Sequence, residues 1–259
     1  MPTAPRRITL ILFLLFTALL CLLAWLLGGT PSGREQTAEQ ARPTAGQGTD
    51  TPSRPITCLV IDAGHGGEDG GASSAAGLVE KEVNLAVAEH LRDLCETAGI
   101  RVIMTRTEDK LLYDRNVDFN GRKKVLDLAA RWNIGEQAAA NAMAEGGGAL
   151  FVSIHMNAFP QTRYAGMQVW YGMADPRSAA VAESIQQAST ALMPENTRKI
   201  KAAGSNIYLL DRLSTPAVLV ECGFLSNPAE AERLSDDSYR RALATVIFSA
   251  VAPYVETCG

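Results

Sequence analysis

Three histidines occur in the chain of 259 residues, and two of them stand where catalytic groups gather. His65 lies in "VIDAGHGGEDGGA" (60–72), directly after an apolar β-branched run and among Gly64, Gly66, Gly67, Gly70 and Gly71. His155 closes a second apolar run, "ALFVSIH" (149–155). A glycine-rich turn after a strand can cradle a phosphate through its bare backbone N–H groups. Neither G-x-G-x-x-G nor the P-loop pattern with its Lys-Ser/Thr is present, however, so the glycines serve His65 instead. Two imidazoles at strand ends, each beside small residues, point to a metal site. A zinc site that does chemistry takes three His, Asp or Glu ligands and leaves one position open. A carboxylate should therefore complete the set.

Glu80, in "LVEKEVNL" fifteen residues beyond His65, is the candidate, and a charge at a helix start is an equally good account of it. Glu82 is explained by the helix dipole alone, and Glu68 and Asp69 read as solvated or bonded to backbone. Glu221 interrupts "TPAVLVECGFLSN" (215–227), an apolar strand where an unpaired ionised carboxylate is costly. It is either half of a buried ion pair or, beside a metal site, a general base. His90 sits at the margin of a helical apolar stripe and reads as a boundary imidazole. No H-E-x-x-H helix is present.

The elements that must position these groups follow from the apolar patterning. "ITCLVIDA" is a strand of the kind buried on both faces of a parallel sheet. The next segment puts Val83, Val87, Leu91, Leu94, Cys95 and Ala98 on one helical face, with Gly99 closing the helix. "IRVIMT" is a strand, 124–145 a helix, "ALFVSIH" and "GMQVWYG" further strands, and "PRSAAVAESIQQASTAL" a helix with Pro176 in its first turn. A strand returns at 216–223, and helices at about 228–234 and 236–254 finish the chain. The expectation is an α/β fold: a single domain, residues 56–259, with a mainly parallel central sheet covered by helices on both faces. Sites in such folds gather at the carboxyl ends of strands, where His65, His155 and Glu221 fall.

Ahead of this domain, Ile8–Leu27 is an uncharged run preceded by Arg6 and Arg7. At 1.5 Å per residue it spans a hydrocarbon core of about 30 Å. Residues 1–29 are thus expected to form a transmembrane anchor with the catalytic domain on the extracytoplasmic face of the membrane. Secretion after cleavage of a signal segment is the alternative. The run is longer than the roughly 7–15 apolar residues of a signal peptide, and no A-x-A site follows. Residues 30–55, rich in Gly, Pro, Thr, Gln and Ser, read as a flexible linker. A net charge of −4 argues against a nucleic-acid partner. None of the five cysteines forms a C-x-x-C pair. Cys58 and Cys222 read as small core residues, with a Cys58–Cys222 disulfide as the lesser alternative.

The segments "VIDAGHGGEDGGA", "GLVEKEVNLAVAEHLRDL", "VIMTRTEDK", "FVSIHMNAF" and "VLVECGFLSNPAEAERL" resemble, in order and spacing, the zinc-dependent N-acetylmuramoyl-L-alanine amidases (amidase type 3), over residues 56–255. The resemblance implies hydrolysis of the amide joining N-acetylmuramic acid to L-alanine in peptidoglycan. It implies Zn2+ held by His65, Glu80 and His155, with Glu221 as catalytic carboxylate; in that mechanism Asp62 is expected to orient a ligand. Residues 196–241 look most like the spore-cortex, CwlD-type branch, which strips stem peptides ahead of muramic-δ-lactam formation. Ahead of "SIH" the match loosens, with Asn141 present but Glu136 near the expected arginine. Alternatives are a zinc peptidase acting within the stem peptide and a catalytically inactive wall-binding protein. The expected partners are the peptidoglycan substrate, the membrane through the N-terminal helix, and an accessory protein. His65, Glu80, His155 and Glu221 should cluster, with His90 well away.

Overall fold

The apolar runs assemble into one six-stranded sheet, seen in a computed structural model that describes residues 54–113 and 121–257. The expected membrane span and residues 30–53 of the linker lie outside the described residues. Among the described residues no helix is long and apolar enough to cross a membrane.

The strands are β1 (Ile56–Ala63), β2 (Val102–Met104), β3 (Gly148–Asn157), β4 (Gln168–Tyr171), β5 (Lys201–Ala202) and β6 (Ala217–Phe224). The helices are α1 (Glu80–Thr97), α2 (Lys123–Ala144), α3 (Arg177–Ala188), α4 (Tyr208–Arg212), α5 (Pro228–Ser235) and α6 (Asp237–Val251). Strand order is β2-β1-β3-β6-β4-β5. β2, β1, β3 and β6 run parallel, whereas β4 lies antiparallel to β6 and carries β5 parallel to itself. The sheet is therefore mixed, mostly parallel, rather than uniform. Neither β5 nor α4 stands out in the sequence, because two and five residues are too few to show a period.

Alternation along the strands sorts the core into two layers. Leu59 and Ile61 of β1, Val152 and Ile154 of β3, and Val218 and Val220 of β6 face α1, α3 and α6, meeting Val87, Leu91, Ile185 and Ile247. Cys58, Val60, Phe151 and Leu219 face the other way, toward Ala138 and Ala142 of α2 and Leu209 and Leu213. The second face is the one that changes character toward the strand ends: after Val60, Phe151 and Leu219 it presents Asp62, Ser153 and His155, and Glu221. A period of two makes this automatic.

The cysteines follow the same geometry. Cys58 and Cys222 are buried and not disulfide-bonded. They lie on β1 and β6 with β3 between, so two strand spacings of about 4.8 Å separate them, beyond the reach of a disulfide. They also belong to opposite faces of the sheet.

Candidate functional site

His65 is delivered by the β1–α1 turn, Glu80 by the first position of α1, and His155 by the end of β3. Their ligating atoms all lie within 4.8 Å of one another. Glu80 Oε1 is 3.2 Å from His65 Nε2 and 3.0 Å from His155 Nδ1. The two imidazoles meet edge-on with centroids 4.9 Å apart. Donors of a tetrahedral ion bound at about 2.0–2.2 Å lie roughly 3.3–3.6 Å apart, so the two nitrogen–oxygen spacings come within a few tenths of an ångström of what such an ion requires.

The glycines make this approach possible. A Cβ on Gly64 would stand 2.3 Å from the His155 ring. One on Gly71, which has φ +68°, would stand 2.5 Å from Glu80 Oε2 and 2.8 Å from His65 Cδ2. His65 itself adopts φ 61°, a left-handed conformation that costs a non-glycine residue of order 1 kcal/mol or more.

Two buried arginines hold the turn in that shape. Arg131 donates to the Asp62 carboxylate at 2.6 Å, to Ala63 O at 2.7 Å and to His65 O at 2.6 Å. Arg106 donates to Ala63 O, Gly64 O and Lys81 O at 2.8–2.9 Å, which ties the turn to the start of α1. Neither arginine was picked out from the sequence. The signal was there for Arg131, which interrupts the buried stripe Asp127, Gly135, Ala138 and Ala142 of α2. It is Arg131, not the position near Glu136, that supplies a buried arginine ahead of "SIH". Glu136 is turned to the surface and accepts from Ser214 N and Oγ. Asp69 is bonded to backbone, as one of its two readings has it, accepting from Gly71 N at 3.2 Å, and its Oδ2 also lies 2.9 Å from His65 Nδ1.

Electrostatics separates the ionisable groups sharply. Burial alone would lower the His65 pKa, but Asp69 and Glu80 on either side raise it to about 9. Burial would raise Glu80, and the two histidines outweigh it and hold the carboxyl far below its usual range. Asp62 is fully buried, which works to raise it. Arg131 and hydrogen bonds from Ser153 and Thr105 prevail and keep it low. Glu221 is different: burial pushes its carboxyl up to about 7, with His155 and His65 opposing and Glu80 reinforcing the shift. Its Oε2 is buried without a hydrogen-bond partner. Among the described residues the buried ion pair held open for Glu221 is thus not formed.

Glu221 pairs in register with His155 across β6 and β3. It lines a cleft of about 240 Å³ together with Asp62, His65, Asp69, Arg131 and His155. The far wall is Asn206 to Leu209, at the start of α4. The structure therefore brings His65, Glu80, His155 and Glu221 to one place. His90 is elsewhere, its Nε2 2.9 Å from Asp237 Oδ1 on the α1–α6 side.

Comparison with known proteins identifies the family. Residues 59–253 match the family model described as N-acetylmuramoyl-L-alanine amidase. The germination-specific N-acetylmuramoyl-L-alanine amidase of Bacillus subtilis is 35% identical over 201 residues, spanning 78% of this chain and 81% of that protein. The CwlD amidase from Clostridioides difficile, solved in complex with the GerS lipoprotein, superposes with a TM-score of 0.68 at 36% identity, covering 76% of this chain and 98% of that one. The catalytic domain of CwlV, an amidase from Bacillus (Paenibacillus) polymyxa var. colistinus, gives 0.62 at 28% identity, covering 77% and 98%. The chain belongs to the N-acetylmuramoyl-L-alanine amidase family.

Proposed function

We propose that the protein is a zinc-dependent amidase that cleaves the bond between the lactyl group of N-acetylmuramic acid and the L-alanine of the stem peptide, in spore cortex peptidoglycan. The observation that carries this reading is the pairing of a His65–Glu80–His155 donor set with an orphaned carboxylate oxygen on Glu221 in the same cleft. The donor set is the two-histidine, one-carboxylate type that suits catalytic zinc.

His65, Glu80 and His155 would hold the ion. Zinc, when bound, supplies a Lewis acid that polarises an amide carbonyl and makes water more acidic. Glu221 takes a proton from the attacking water and returns it to the leaving alanine nitrogen as the C–N bond breaks. A carboxyl raised to about 7 by burial is matched to both halves of that task near neutral pH. Asp62 acts one step removed: it fixes Arg131, and Arg131 fixes the His65 carbonyl.

Residues 8–27 would anchor the enzyme on the extracytoplasmic face, with residues 30–55 as a tether long enough to reach the wall. The GerS complex of the CwlD amidase supports an accessory lipoprotein partner for this chain as well.

The test is digestion of peptidoglycan by the purified full-length protein with added zinc, followed by mass spectrometry of the muropeptides. Release of intact stem peptides from the glycan is expected. Cuts within the stem peptide would replace this reading with a peptidase, and no cleavage at all would favour an inactive wall binder. His155→Ala should lose bound zinc, by elemental analysis, along with turnover.

A further inference from the structure

A second groove of about 290 Å³ lies on the same face of the sheet as Glu221. Gln168 of β4 is the register partner of Glu221 and Trp170 that of Leu219, so the alternation that points Glu221 into the catalytic cleft points Gln168 and Trp170 into its neighbour. Phe224, at the end of β6, closes the groove, and Arg198 and Lys201 stand over it. The two spaces share β6 as a common border.

The chemistry of the groove is unlike that of the cleft beside it. Arg198 lies 4.5 Å from the Phe224 ring centroid and 5.9 Å from that of Tyr164, and Lys201 lies 5.1 Å from that of Trp170. Three of the four aromatic rings lining the groove thus carry a cation over one face, which makes the groove basic. Arg198 is aimed by its Nε, which donates to Ala165 O at 2.8 Å, and that leaves its two Nη groups to reach outward. The Gln168 amide donates to Lys199 O and ties the 199–201 segment to β4. Among the described residues no carboxylate pairs with Arg198 or Lys201. Two positioned cations without acidic partners, bordering a catalytic cleft, form a site for an anion.

We infer that this groove binds the peptide side of the substrate, through carboxylates downstream of the L-alanine, with Arg198 and Lys201 as specificity-determining residues. The inference rests on the amidase reading. In that substrate the lactyl carboxyl is consumed in the scissile amide, so the glycan strand is neutral there and the negative charge lies on the peptide. Charge complementarity thus orients the polymer, with the peptide running across β6 toward β4 and β5 and the sugar on the opposite side of Glu221.

The experiment uses the full-length zinc-loaded enzyme and two soluble muropeptides that differ only in the residue after L-alanine, which carries either a free or an amidated carboxyl. The wild type should show a KM about tenfold lower for the acidic substrate, the effect of one charge-assisted contact. Arg198→Gln combined with Lys201→Gln should raise that KM to the level of the amidated substrate and leave kcat within about twofold. Lys201→Gln alone, on an exposed edge strand, should lose part of the preference, and Lys201→Arg should keep it. Equal KM values for both substrates in the wild type, or an unchanged preference in the Gln variants, would overturn the subsite while leaving the amidase standing. Failure of the wild type to cut either substrate at the muramoyl–alanine bond would remove the amidase reading itself.

Discussion

Asp62 and Glu221 are carboxylates on one face of one sheet, with the strand β3 between them, and their surroundings are opposite. Asp62 is fully buried and answered on every side, by Arg131, Ser153 and Thr105 at 2.6–2.7 Å. Glu221 borders an open cleft and has an oxygen that nothing in the described chain satisfies. The first arrangement lowers a carboxyl pKa and the second raises it. A protein that solves the problem of a buried carboxylate so completely at one strand end, and leaves it unsolved two strands on, has kept the second group poised for a proton at some loss of stability.

That contrast can be broken in order of effect. Glu221→Gln should reduce turnover by about 10²–10⁴-fold, the usual contribution of a general base, with zinc content unchanged. Muropeptide release together with elemental analysis reads both. Arg131→Met leaves Asp62 charged, buried and unpaired, and should destabilise the fold by about 3–5 kcal/mol in urea unfolding. A loss below about 1 kcal/mol would mean that Asp62 does not depend on its partner.

The pH dependence of stability should separate the two carboxylates by sign. The folded pKa of Glu221 is raised to about 7 from an ordinary value near 4.5. Below the lower value both states are protonated and folding bears no penalty; the penalty grows as pH rises from about 4.5 and is complete above about 7. In metal-free protein Glu221→Gln should therefore be more stable than wild type at pH 8 by about 1–3 kcal/mol and no different at pH 4. Asp62 behaves in reverse. Its folded pKa is depressed, so its contribution is present above the ordinary carboxylate range and is lost as pH falls through the folded value. Thermal unfolding of Asp62→Asn and Glu221→Gln across pH 3–8 should give slopes of opposite sign relative to wild type. The smallest change should come from Glu136→Ala. This exposed carboxylate binds Ser214 at the surface, and its loss should cost less than about 1 kcal/mol.

The residues legible in the sequence were those placed by short periods. Strand alternation carries His155 and Glu221 to the same face, and the apolar runs that they end are unmistakable. Glu80 was less distinct, since a carboxylate at a helix start is accounted for twice over, and only its 3.0–3.2 Å approaches to both imidazoles separate the accounts. Arg106 and Arg131 went unread because the partners that shape the turn, the carbonyls of Ala63, His65 and Lys81 and the carboxylate of Asp62, lie 25–69 residues away; the local cue was Asp127, four residues before Arg131. The reversal of β4 escaped for a similar reason. Four residues, Gln168–Tyr171, read alike in either direction, and the pairing with β6 is decided by the sheet.

Gly64 has a consequence that reaches beyond this one molecule. The volume its side chain would occupy is filled by the ring of His155 from the neighbouring strand, so the two positions share one space. Alanine at 64 would force the His155 ring aside or require a smaller residue at 155, and either change disturbs the proposed metal donor. No single-step exchange between the two is neutral while the enzyme is under selection. In the descent of such proteins, positions 64 and 155 should vary as one character: glycine with histidine where the metal is kept, and free to drift apart only in lineages that have abandoned the chemistry.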